Sequence, residues 1–255
     1  MAENQSDRKL LESLGMEPLP EHTGARALPG PVNVLLYPWS ASGLVHVSAA
    51  TAIAMGIAVG QRWVPGLVRP SGWPFLVTVL VALYFAWYLA ECVYDSARGG
   101  GRAPNILSIN PGRSEARSRI AYLFAAAALY ALPAVLYLLY VRRVDWVFWI
   151  LTAWALVFAP IGLLAMVIQD SADALNPLFL LGSILRVSLP YLGLLILATG
   201  LAGLDALVFR VWVWPGTSLA LQAVGFLIII YGTFILAHVL GRFYWRYRER
   251  LDWGL

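Results

Sequence analysis

Among its 255 residues the chain has one cysteine, Cys92, and one lysine, Lys9. A single cysteine excludes an intrachain disulfide, a CxxC redox pair and a thiolate metal cage. With its only lysine at position 9, the chain has no P-loop, which needs a lysine directly after its second conserved glycine. Charge is scarce as well: 13% of residues are Asp, Glu, Lys or Arg, against the ~25% of an ordinary soluble domain. Histidine occurs at positions 22, 46 and 238, never in an HExxH-type spacing. Ligand type alone would let His46 and His238 hold a haem between two helix ends, yet haem-binding bundles carry more intramembrane histidine, and each ring can bond a backbone group or water instead. Ser-His-Asp, paired-carboxylate and GxGxxG signatures are missing too. No catalytic residue, metal or cofactor is assigned on these grounds, and an enzyme is the less favoured class.

What the chain does have is apolar length. Sixty per cent of it is hydrophobic and its mean hydropathy is +0.71. These residues fall in long runs at 44–64, 74–94, 120–141, 146–168, 187–208 and 218–243, parted by short charged or Pro/Gly-rich stretches. Each run meets the ~20 residues needed to cross a hydrocarbon core as a helix. Start signals are local: Pro74 follows Ser71 and Gly72, Ser118 precedes the third run, and Thr217 and Ser218 open the sixth. The fifth stretch differs. It opens on Asn176-Pro177 and stays apolar to Val208, interrupted by Arg186 and Pro190, which is too long for one perpendicular span. The expected solution is a short interfacial or re-entrant helix over 178–185, then a bend near Pro190 into the true span. A fainter version, 34–39 with Pro38, precedes the first run.

The fold class expected is therefore all-α, a polytopic transmembrane helix bundle of about six spans with that short extra helix before span five. Its divisions are a flexible cytoplasmic tail over 1–33, the membrane domain over 34–243 and a basic cytoplasmic tail over 244–255. The start of the chain lacks a charged-then-apolar leader, so the first span is expected to serve as an uncleaved insertion signal. With the N-terminus inside, thirteen cations fall in inner segments and five, Arg62, Arg69, Arg142, Arg143 and Arg210, in outer ones, which satisfies the positive-inside rule. Trp63, Trp73, Trp146, Trp149, Trp212 and Trp214 flank the outer loops as an aromatic belt.

Three groups of residues are singled out. Glu91 and Asp95 in the last turn of span two, and Asp170 and Asp173 at the end of span four, sit where helix dipoles disfavour anions by ~0.3–1 kcal/mol each. They call for cations, and Arg186 is expected to pair with one of them, Glu91 first. As a structural girdle the cluster ties helix ends together; as a functional one it admits an ion or polar substrate. The loop from Arg98 through three glycines to Arg102 reads as a flexible basic loop, with Arg98 and Arg102 as contacts for anionic lipid headgroups. Ala52, Gly56 and Gly60 form a small-residue ridge for close helix packing, inside the bundle or against a partner; Thr199/Gly203, Gly225/Gly232 and Ala237/Gly241 are similar pairs.

Tyr37-Pro38, Ala90-Glu91-Cys92-Val93-Tyr94-Asp95-Ser96-Ala97 with its glycine-rich sequel, Asn176-Pro177 and Gly241-Arg242-Phe243-Tyr244 resemble a bacterial multi-pass membrane family of uncharacterised function, itself distantly similar to the membrane domain attached to some glycerophosphodiester phosphodiesterases. The resemblance spans roughly residues 34–253 and implies a polytopic helical fold in a bacterial cytoplasmic (inner) membrane. It transfers no catalytic residue, because the phosphodiesterase chemistry belongs to a separate domain. The function expected is a non-enzymatic membrane scaffold or accessory subunit of a larger membrane assembly, with a small transporter or channel using the acidic/Arg cluster as the alternative. The expected partners are the bilayer, anionic lipid headgroups and other membrane subunits or a second copy, and no nucleic acid.

Overall fold

A computed structural model describes residues 30–63, 73–105, 121, 124–126, 128–169, 171, 176–213 and 217–253. Its helices are α1 (Gly30–Leu35), α2 (Ala41–Trp63), α3 (Trp73–Ala97), α4 (Leu132–Val141), α5 (Trp146–Gln169), α6 (Pro177–Arg186), α7 (Ser188–Val208) and α8 (Leu219–Leu251). No strand occurs among the described residues. By length and composition α2, α3, α5, α7 and α8 can each cross a membrane, so the protein is an all-α, multi-pass membrane protein. Phe124–Tyr130 and Leu132–Val141 supply a sixth crossing if they count as one span, bent by 51°. The sequence expectation of an uninterrupted third run overlooked Pro133, which sits in the first turn of α4 and cannot extend a helix from upstream without clashing with a preceding carbonyl.

Local chemistry explains most boundaries. Asn176 caps α6, its Oδ1 accepting from the Leu178 amide at 3.0 Å, with Pro177 at the first position. Ser218 caps α8 in the same way through the Leu221 amide at 3.3 Å. Asp145, whose Oδ1 accepts from Val147 and Phe148 amides at 3.1 and 3.2 Å, opens α5. The expected helix and break ahead of span five are present. The break falls at Val187, where the expected stretches 178–185 and 187–208 part, three residues before Pro190. A proline ring collides with the carbonyl four residues upstream, here that of Arg186, so the helix ends there and restarts with Pro190 inside its first turn. α7 ends in a π-helical turn, Phe209–Val213.

α8 is the axis of the bundle. It packs against α1, α2, α3, α5, α6, α7 and the π-turn, and buries Phe234, Leu240, Tyr244 and Leu251 among others. In lipid the hydrophobic effect does not draw helices together, so close packing and interhelical hydrogen bonds must do so. Gly241 permits the α3–α8 crossing: a Cβ there would collide with the Val93 carbonyl oxygen and lie 2.5 Å from Ser96 Cβ. Gly225 does the same for the π-turn, where a Cβ would come 2.8 Å from Val213 Cγ2. Tyr191 Oη donates to the Val157 carbonyl at 2.5 Å, joining α7 to α5 just before Pro160. α4 buries none of its residues.

Candidate functional site

The polar residues concentrate at one end of the bundle, where the α3 C-terminus, the start of α2 and the second half of α8 meet. Ser96, fully buried near the end of α3, lies with its Oγ 2.7 Å from Nδ1 of His238, which is 1% exposed. Tyr37 stacks flat on the His238 ring, centroids 4.0 Å apart, and its hydroxyl donates to the Cys92 carbonyl at 3.4 Å. Burial pushes the Tyr37 hydroxyl well above its ordinary value, so it remains a neutral donor. A second stack lies alongside. His46 covers Tyr88 at 3.8 Å, and its two nitrogens face the Ser42 carbonyl at 2.6 Å and the Tyr84 hydroxyl at 3.1 Å. Cys92, buried between the two tyrosines, neighbours both hydroxyls.

The loop after α3 closes over this end. Ser42 Oγ and Tyr88 Oη both donate to the Pro104 carbonyl, at 2.6 and 3.1 Å. Gly99, with φ +98°, adopts the left-handed region and lies against Trp245. A Cβ on Gly100 would fall onto the Asp95 carboxylate. Gly100, Gly101 and Ala103 are buried. The expectation of a flexible loop is thus corrected for residues 98–105: these glycines are needed for close packing.

Each singled-out residue can now be placed. Glu91 is 6% exposed and Asp95 packs on Gly100; Asp170 and Asp173 lie outside the described residues. Arg186 donates to the Leu251 carbonyl at 3.1 Å, a partner the sequence reading did not consider, since a backbone acceptor leaves no mark in a side-chain pattern. Arg98 lies over the Tyr94 ring and donates to its hydroxyl, and Arg102 is exposed. Ala52 is exposed, Gly60 is half-buried, and a Cβ on Gly56 would meet nothing within 4 Å. Gly203 is equally open, whereas Gly225, Gly232 and Gly241 face neighbouring side chains. Trp146 and Trp149 are exposed and Trp212 is half-buried.

Sequence reading missed the Ser96–His238 pair, whose members are too far apart in the chain for any spacing rule. It also passed over Asp205, a carboxylate inside α7 whose Oδ1 is buried without a hydrogen-bond partner; a lone acid within a span was the available signal. Serine beside imidazole has the makings of a nucleophile and base. Here neither side chain is open to a substrate, and the pair serves as a tie between α3 and α8. Among the described residues no three His, Cys, Asp or Glu gather as metal ligands, and His46 and His238 belong to separate stacks. Several residues quoted for the family resemblance converge at this end: Tyr37 reaches Cys92, Gly241 meets Val93 and Ser96, and Tyr244 stacks on Trp253. No protein family, curated protein or solved structure matches the chain.

Proposed function

We propose that the chain is a non-enzymatic scaffold or accessory subunit of a larger membrane assembly, seated in a bacterial inner membrane with the Arg98–Arg102 loop and both termini on the cytoplasmic side. The observation behind this reading is the division among its glycines. Those on α8 are occupied by neighbours within the chain, while Gly56 on α2 opens onto empty space beside exposed Ala52. Small residues on a lipid-facing surface let a second helix approach closely, where packing is the main attraction available. The polar groups at the start of α2 are tied to neighbouring helix and loop groups, as suits a rigid support. Native mass spectrometry after gentle detergent extraction tests the proposal. A bound membrane subunit or second copy, lost on Gly56→Leu, supports it; a strict monomer for the unaltered chain refutes it. The family resemblance is part of the same proposal.

Asp205 favours a second reading, a small transporter or channel. An intramembrane carboxylate with an unpartnered oxygen is costly unless it serves an ion or proton, and Glu91, Asp95 and Arg186 would then form the inner entrance. Proteoliposome flux abolished by Asp205→Asn would support this reading, and flux indifferent to it would dismiss it.

A further inference from the structure

α2 and α3 do not close on each other along their length. Between them lies a cleft of about 360 Å3, bordered by Ala49, Ile53, Ala54 and Ile57 on α2 and by Ala82 and Phe85 on α3. Alanines on both helices leave this space unfilled, and its wall is apolar apart from Thr78 and, at one end, His46 and Tyr84, which meet at 3.1 Å. From His46 to Ile57 the cleft follows about 16 Å of helix, at 1.5 Å per residue. Just past the polar end, Ser42 and Tyr88 hold the Pro104 carbonyl, which brings exposed Arg102, two residues earlier, to the same end. Arg102 is exposed there, whereas Glu91, on α3, is buried.

We propose that this cleft holds one acyl chain of an anionic phospholipid, with the headgroup at the His46–Tyr84 end beside Arg102. Length, apolar wall, polar mouth and cation occur in the order in which such a lipid presents its own parts. Arg102 selects an anionic headgroup over a zwitterionic one. The inference is independent of the scaffold role, which depends on the neighbouring Gly56 face.

The test uses the full chain in phosphatidylcholine nanodiscs doped with phosphatidylglycerol or phosphatidylcholine carrying a diazirine on one acyl chain. Labelled peptides are mapped by mass spectrometry. Phosphatidylglycerol should label 49–57 and 78–85 several-fold more than phosphatidylcholine does, and Arg102→Gln should remove that preference. Ala49→Trp and Ala82→Trp, one on each rim at exposed positions, should each lower the labelling several-fold. If one tryptophan variant fails to fold, the other and Arg102→Gln still decide. Equal labelling by the two lipids, labelling unchanged in a folded rim variant, label spread evenly around the bundle, or a second polypeptide cross-linked in the cleft would each overturn the proposal.

Discussion

At Gly241 an added methyl group would strike the Val93 carbonyl oxygen, and at Gly56 it would meet nothing within 4 Å. Gly241→Ala is therefore expected to force α3 and α8 apart and destabilise the bundle by about 1–3 kcal/mol, the usual range for overpacking. Gly56→Ala should be neutral or stabilising by up to about 1 kcal/mol, because alanine loses less backbone freedom in a helix. Thermal unfolding in detergent, followed by tryptophan fluorescence, compares the two; a Gly241→Ala protein as stable as wild type would contradict the crossing geometry. Asp145 permits a pH experiment. Its carboxyl is held below the ordinary carboxylate value, chiefly by the Tyr137 hydroxyl at 2.6 Å and then by the α5 amides. The folded-state value is the lowered one, so its stabilisation is complete above the unfolded value of about 4 and is lost as pH falls through the folded value. Asp145→Asn should flatten the acid limb of a plot of thermal midpoint against pH, and an unchanged limb would show that the cap does not contribute there. The opposite fates of Gly56 and Gly241 were not legible in sequence, where both sit in small-residue pairs, because a glycine's role depends on the helix opposite it.

Helix ends were more legible than helix contacts. Asn176-Pro177 and Ser218 announce starts through chemistry within three residues, so the sequence carries the whole signal. The α6–α7 break falls at Val187, where the expected stretches 178–185 and 187–208 part, because proline acts on the carbonyl four residues upstream. The 51° bend ahead of α4 went unread for want of the same reasoning at Pro133. The π-turn after α7 had no local signal either; it is held from outside, by Thr217 Oγ1 on the Trp212 carbonyl at 2.7 Å and Gln222 Nε2 on that of Val213 at 3.3 Å. Arg186 holds the C-terminal carbonyl of α8, beside Trp253, which donates to Ser183 at 3.0 Å; Asp170 and Asp173, two of the carboxylates expected to meet it, lie outside the described residues. A cation at a helix C-terminus stabilises by about 0.3–1 kcal/mol. Arg186→Ala should accordingly fray the last turn of α8, read as faster amide hydrogen exchange at 248–251. Arg246→Ala, over the Tyr247 ring, should leave those amides alone, and equal exchange in both variants would remove Arg186 from this role.

Across the whole molecule, hydropathy located the long helices in order, five of the six expected runs being single helices long enough to span, since bilayer thickness dictates their length, while the polar end was assembled from residues no periodicity connects. The orientation proposed above has a direct check. Val144, 62% exposed between α4 and α5, and Asn105 after the glycine loop are replaced singly by cysteine, and intact cells are treated with an impermeant maleimide. Position 144 should react and position 105 should not until the membrane is opened, with Cys92, fully buried, adding no background; the reverse pattern would invert the topology. The central place of α8 has a consequence in time. Ribosomes deliver the chain from its N-terminus, so the axis of the bundle is the last described element to leave the exit tunnel. Until it arrives, Tyr37 lacks His238, Ser96 lacks its imidazole and the π-turn lacks Gly225, so the earlier helices wait in the bilayer with only the ties among themselves, such as Tyr37 to Cys92 and Tyr191 to Val157. The native arrangement then closes in one late event, and a chain halted before residue 219 would be inserted yet unassembled, a natural target for membrane quality control.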